Sequence, residues 1–141
     1  MMAKKKRRKA PVNQMTLDWC RDRDWMIGRT EYKIRFNITK DLFGFIDFVA
    51  VRPEVSGVLA IQVTTFENRL ARVKKILNET NVEALNWLAS DNQIEVWGWK
   101  RPSTKNRMWA LKRECVIING DGELEAISEP LILKQGDRGG A

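Results

Sequence analysis

Residues 41–51 read DLFGFIDFVAV, and from Phe45 to Val51 the run is apolar except at Asp47. An almost continuous stretch of aromatic and β-branched residues is what a strand covered on both faces requires. A carboxylate in the middle of such a strand is costly to desolvate unless it is hydrogen-bonded, ion-paired or bound to a cation. Asp47 is therefore the residue from which to look for function.

Downstream, RPEVSG (52–57) is a short link containing Pro53 and Gly57, and VLAIQVTT (58–65) has the character of a second buried strand. A link of this length joins antiparallel neighbours, which makes the two strands the expected centre of the sheet. Gln62 and Thr64 share one parity, so they emerge from one face, and pairing of the strands can bring Asp47, Gln62 and Thr64 together. Carboxylate, amide and carbonyl oxygens suit a hard cation such as Mg²⁺, which activates water and offsets phosphodiester charge. The same three residues also fit a buried hydrogen-bond network that only holds the sheet, and spacing does not separate the two readings.

Before this centre, Asn13 or Thr16 is placed to cap a short helix through Leu17, Trp19 and Cys20, ending before Trp25. Trp25 to Phe36 alternates Tyr32, Ile34 and Phe36 with Lys33 and Arg35, so at least one half-buried strand is expected there. After it, Phe66, Leu70, Val73 and Leu77 fall on a helical stripe that should pack on the sheet. Val82 to Ala89 reads as a further helical segment. QIEVWGW (93–99), a basic loop KRPSTKNR (100–107) and the stretch Met108 to Ile118 then read as a hairpin, followed by an Asp121-Gly122 turn. The expected organisation is an arm over residues 1–12, one α/β domain over 13–134 and a frayed tail over 135–141.

The chain has 141 residues and a net charge of +7, but the charge is unevenly spread. Lys4, Lys5, Lys6, Arg7, Arg8 and Lys9 supply six of the 25 positive charges, and the remaining 19 nearly balance 18 acidic residues. Such a run repels itself and stays extended, either as a solvated tail or as a grip on phosphates, and a nuclear-import signal would look the same. Histidine is absent, which excludes Ser-His-Asp and Cys-His catalysis and histidine-ligated zinc. Cys20 and Cys115 are far apart and lack CxxC spacing, so neither a disulfide framework nor a zinc ribbon is indicated. No apolar run approaches the roughly 20 residues that span a bilayer, and the expected location is cytoplasmic.

The run KDLFGFIDFVAV, its six-residue link, VLAIQVTT and a following helix bearing NRLARVKKI resemble the PD-(D/E)XK nuclease superfamily, especially its small resolvase-like members and phage and bacterial relatives. The resemblance covers roughly Trp25 to Trp99. It implies a restriction-endonuclease-like αβββαβ core, with a central mixed sheet flanked by helices and here extended by a C-terminal β-hairpin. It also implies a site for Mg²⁺ or Mn²⁺. Asp47 takes the place of the motif aspartate, Gln62 that of the acidic residue and Thr64 that of the lysine. Glutamine can still offer an oxygen to a metal but adds no negative charge, and threonine cannot replace the ammonium.

A substitute cation is then sought on the next helix, where Lys74 flanks the apolar stripe and Lys75 points away from it. Arg69 and Arg72, at i and i+3, are placed to clamp phosphate. Asp41 is a candidate second metal ligand, with Glu31 and Asp18 as lesser donors. Lys100, Arg101, Lys105 and Arg107 form a basic loop that can meet nucleic acid, whereas Trp97, Trp99 and Trp109 at strand spacing fit a core better than a stacking surface. The implied function is a metal-dependent endonuclease acting on DNA, branched or duplex, with a homodimer compatible. The alternatives are a catalytically inactive nucleic-acid-binding module of the same fold, and a structural or partner-binding protein whose Asp47 cluster is only a polar network.

Overall fold

A mixed sheet with helices on both faces organises the chain, whose computed structural model describes residues 11–36, 38–103, 105 and 107–134. The basic run from Lys4 to Lys9 and the tail from residue 135 lie outside the described residues. In the main sheet β1 (Met26–Arg29), β4 (Phe48–Arg52), β5 (Val55–Thr65), β6 (Gln93–Lys100), β7 (Ala110–Ile118) and β8 (Leu124–Ser128) lie side by side in that order. A short β9 (Ile132–Leu133) continues along the far edge of β7. Among the described residues only β5 and β6 run parallel, because α2 (Arg69–Asn78) and α3 (Asn81–Ala89) carry the chain back between them. Two further strands, β2 (Tyr32–Arg35) and β3 (Ile38–Lys40), pair only with each other as a separate ribbon between β1 and β4.

The alternation of β5 divides the core. Leu59 and Ile61 face α1 (Val12–Arg21) with Phe48, Trp97, Trp99 and Leu111, while Ala60 faces α2 and α3 with Val73, Ile76, Ala84, Ile94 and Val96. Trp97 and Trp99 are thus core residues, as their strand spacing indicates. Trp99 meets Trp19 edge to face at 5.9 Å, and its Nε1 donates to Thr16 Oγ1 at 2.9 Å. Neither Asn13 nor Thr16 caps α1. Pro11 occupies the N-cap position, and the Thr16 hydroxyl bonds back to the Val12 carbonyl at 2.8 Å while receiving Trp99.

Two boundaries differ from the expected ones for identifiable reasons. The buried run around Asp47 is not strand throughout: the chain reverses between Leu42 and Ile46, with Phe43 and Gly44 at positive φ, and β4 starts only at Phe48. Asp47 therefore stands just before a strand rather than in its middle. The helical stripe is also shifted. Phe66–Asn68 forms a 3-10 turn before α2 starts, so the buried positions are Val73 and Ile76, and Leu70 is exposed. Among the described residues no helix is long and apolar enough to cross a membrane.

Gly57 allows the long β5 to cross the end of α3. It has φ +81°, and a Cβ built there would lie 1.9 Å from the Asp91 carbonyl oxygen. Gly57→Ala is expected to cost about 2 kcal/mol or more, since left-handed strain and a backbone clash add. Denaturant unfolding measures the loss, and an unchanged midpoint would contradict this packing.

Candidate metal centre

Asp47 is fixed from three directions by backbone groups. Its N–H donates to the Ile61 carbonyl at 3.0 Å, its own carbonyl accepts the Thr30 N–H at 3.0 Å, and its Oδ2 accepts the Val63 N–H at 2.8 Å. The Thr30 hydroxyl donates to the neighbouring Ile46 carbonyl at 2.7 Å. These bonds tie Thr30, just past β1, to the backbone of Ile46 and Asp47, and β5 to the Asp47 carboxylate.

Because Phe48 pairs with Ile61, Asp47 lies opposite Gln62, and both point to the face covered by α2. Gln62 and Thr64 are buried on that face, as their parity requires. Gln62 Oε1 is buried without a hydrogen-bond partner. A buried amide oxygen left unpaired costs on the order of 1–3 kcal/mol, which a water or a ligand atom at this position would offset.

Two more carboxylates converge here. The reversal at Gly44 brings Asp41 back to Asp47, and Glu31 follows the end of β1, so that one oxygen from each of Glu31, Asp41 and Asp47 lies within 4.8 Å of the others. That spread is close to the roughly 4.2 Å across an octahedral shell with bonds of about 2.1 Å. Burial first, then the hydrogen bond that the protonated Asp47 carboxyl donates to Asp41, push Asp47 up to about 8, with the charges of Asp41 and Glu31 adding to the effect. A hydrogen bond between two carboxyl groups requires a proton on one of them, so the cluster holds either a proton or a cation. Its donors are all oxygen, the set that hard divalent cations take.

The expected cations are placed differently. Lys74 and Lys75 are both exposed and lie together beside Ala71 and Asn78 on the outer side of α2, and Lys75 also lines an open cleft of about 680 Å³ with Lys40 and Asp41. The 3-10 turn before α2 changes the phase by which the flanks had been assigned. Arg69 is not a free phosphate clamp: its Nε lies 3.5 Å from buried Glu114, its Nη1 donates to the Phe66 carbonyl at 2.8 Å, and its guanidinium stacks on the Phe66 ring. Arg72 is half-buried on α2, and Asp18 is an exposed residue of α1 on the opposite side of the sheet, outside the cluster.

Lys100, Arg101, Lys105 and Arg107 are exposed and follow the C-terminal end of β6. Since β5 and β6 are parallel, this is the end of the sheet that carries Gln62 and Thr64. Both thiols are pushed up to about 12 by burial, which keeps them protonated and unreactive.

Glu114 is the buried charge that sequence reasoning missed. It pairs with Arg69 and accepts the Ser128 hydroxyl at 2.9 Å, and its alternation with Lys112 and Val116 along β7 was the available signal. The chain matches no known protein family, and no curated protein or solved structure matches it.

Proposed function

We propose that this chain is a metal-dependent endonuclease-like protein of the PD-(D/E)XK type, acting on DNA phosphodiesters with Mg²⁺ or Mn²⁺. The observation that carries this reading is the unpaired Gln62 Oε1, buried on the same face as Asp47 and beside a cluster of three carboxylates. An all-oxygen donor set with one orphaned amide oxygen fits a hard divalent ion better than a closed hydrogen-bond network, which would have left no acceptor unused. The order α1, β1, β4, β5, α2, β6 also supports the reading, as it follows the αβββαβ order of the resemblance once the β2–β3 ribbon is taken as an insertion.

Asp47, Asp41, Glu31 and Gln62 would hold the ion, which when bound supplies an activated water and charge neutralisation at the phosphodiester. The protein's own part is positioning. Val63 and Thr30 fix Asp47, and the Gly44 reversal presents Asp41. Lys75 and Lys40, which share the cleft with Asp41, stand in for the lysine that Thr64 replaces in the motif. Lys100 and Arg101 bring positive charge to the same end of the sheet.

Supercoiled plasmid and four-way-junction DNA incubated with the full chain should be nicked with Mn²⁺ or Mg²⁺ and left intact with chelator. Gln62→Leu should weaken Mn²⁺ binding about tenfold while leaving stability equal or higher, because it removes an unpaired oxygen rather than a bond. No cleavage of any DNA form by folded protein with either metal would overturn the enzymatic reading.

A further inference from the structure

We infer that the β2–β3 ribbon is the arm by which this protein grips duplex DNA, presenting the backbone to the carboxylate cluster at the ribbon's base. The inference rests on the DNA reading above and adds the surface that makes the contact. All seven residues of the two strands are exposed. Tyr32, Ile34, Phe36 and Ile38 hold large apolar groups in solvent, and Phe36 at the tip is 92% exposed. A two-stranded ribbon is marginally stable alone, and four uncovered apolar side chains on it call for an occupant.

Charge identifies that occupant. Lys33, Arg35 and Lys40 lie on the ribbon, and residues 32–40 contain no acidic side chain. Among the described residues none of the three cations makes an ion pair. Two copies of this chain meeting through the ribbon would set like charges against each other, whereas a polyanion neutralises them. The aromatic and aliphatic groups interleaved with the cations suit base edges and sugars beside phosphates. A two-stranded ribbon fits the major groove of B-form DNA, and a four-residue strand, about 13 Å long, exceeds the groove's depth of about 8.5 Å.

Position is the second argument. Glu31 precedes β2 and Asp41 follows β3, so the feet of the ribbon are two of the three clustered carboxylates. A duplex held along the ribbon therefore runs past Asp47.

The test uses the full chain, a short fluorescent duplex and anisotropy across a salt series. The double variant Lys33→Glu with Arg35→Glu is expected to bind about tenfold or more weakly at low salt. It should also lower the slope of log affinity against log salt by about 2, one phosphate contact per lost cation. Its Mn²⁺ titration should match wild type, since neither residue belongs to the cluster. Phe36→Ser should weaken duplex binding with the salt slope preserved. Unchanged affinity and slope in the double variant would overturn the inference. So would sedimentation showing a wild-type dimer that Phe36→Ser dissociates with DNA affinity intact, which would assign the ribbon to a second copy. The two readings fail separately: loss of wild-type Mn²⁺ binding sinks the metal centre alone, and ribbon variants with normal DNA binding sink the arm alone.

Discussion

Asp47→Asn should abolish metal-dependent nicking and at the same time stabilise the metal-free protein at alkaline pH. Asparagine keeps the shape of Asp47, can accept the Val63 N–H through its Oδ1 and can donate its amide to Asp41, so the local bonds survive. It cannot supply the anion that a divalent ion needs. The cut in cleavage should be about 100-fold or more, beyond the effect of losing a mere orienting partner of a ligand.

The stability effect follows from the raised pKa. The Asp47 carboxyl titrates near 8 in the fold against an ordinary value of 3.8. Between those values the folded chain keeps a proton that the unfolded chain has released. The contribution of Asp47 to stability is therefore fully present below about pH 4 and is lost as pH rises through 8. Without metal, wild type and Asp47→Asn should be similar near the acid end, and the variant should be more stable by on the order of 3 kcal/mol above pH 8. A saturating cation offsets most of that difference, adding about 2.7 kcal/mol to wild type at 100 times its dissociation constant and nothing to the variant. Thermal unfolding over pH, with chelator and then with Mn²⁺, reads both effects. Parallel pH profiles for the two proteins would contradict the assignment of Asp47 as a strained, proton-holding carboxylate.

Arg69→Ala should destabilise the fold by about 3–5 kcal/mol. Its guanidinium is the charge opposite buried Glu114, and its removal would leave that carboxylate with only the Ser128 hydroxyl. The stem of Arg69 also packs against Gly98, where a Cβ would lie 2.9 Å from Arg69 Cβ. Adding Glu114→Gln to Arg69→Ala should recover part of the loss, because a neutral amide does not need the cation. Denaturant unfolding of the single and double variants measures this, and a loss below about 1 kcal/mol for Arg69→Ala would instead place the pair among weakly contributing surface bridges.

The part of the site carried by β-strand alternation was legible in the sequence. Gln62 and Thr64 share a face because side chains on a strand repeat every two residues, whereas Asp47, which stands before β4, joins them through the pairing of Phe48 with Ile61. Glu31 was only a lesser candidate, because its approach depends on a ribbon that leaves the sheet and returns. The ribbon's alternation of Tyr32, Ile34 and Phe36 reads as half-buried although neither of its faces is covered. The choice of Lys74 over Lys75 rested on a stripe taken as one continuous α-helix from Phe66. A single 3-10 turn at Phe66–Asn68 rotates everything after it, and a sequence stripe read as continuous α-helix carries no sign of the change. β8 and β9 escaped because short, half-exposed edge strands have little periodicity to read.

Calorimetric titration of the metal-free full chain with Mn²⁺ near pH 8 tests the carboxylate cluster most directly. One saturable site, weakened by Gln62→Leu and absent in Asp47→Asn, is the expected result. No saturable binding in wild type, or binding that Asp47→Asn leaves intact, would contradict a divalent-cation centre at Glu31, Asp41, Asp47 and Gln62.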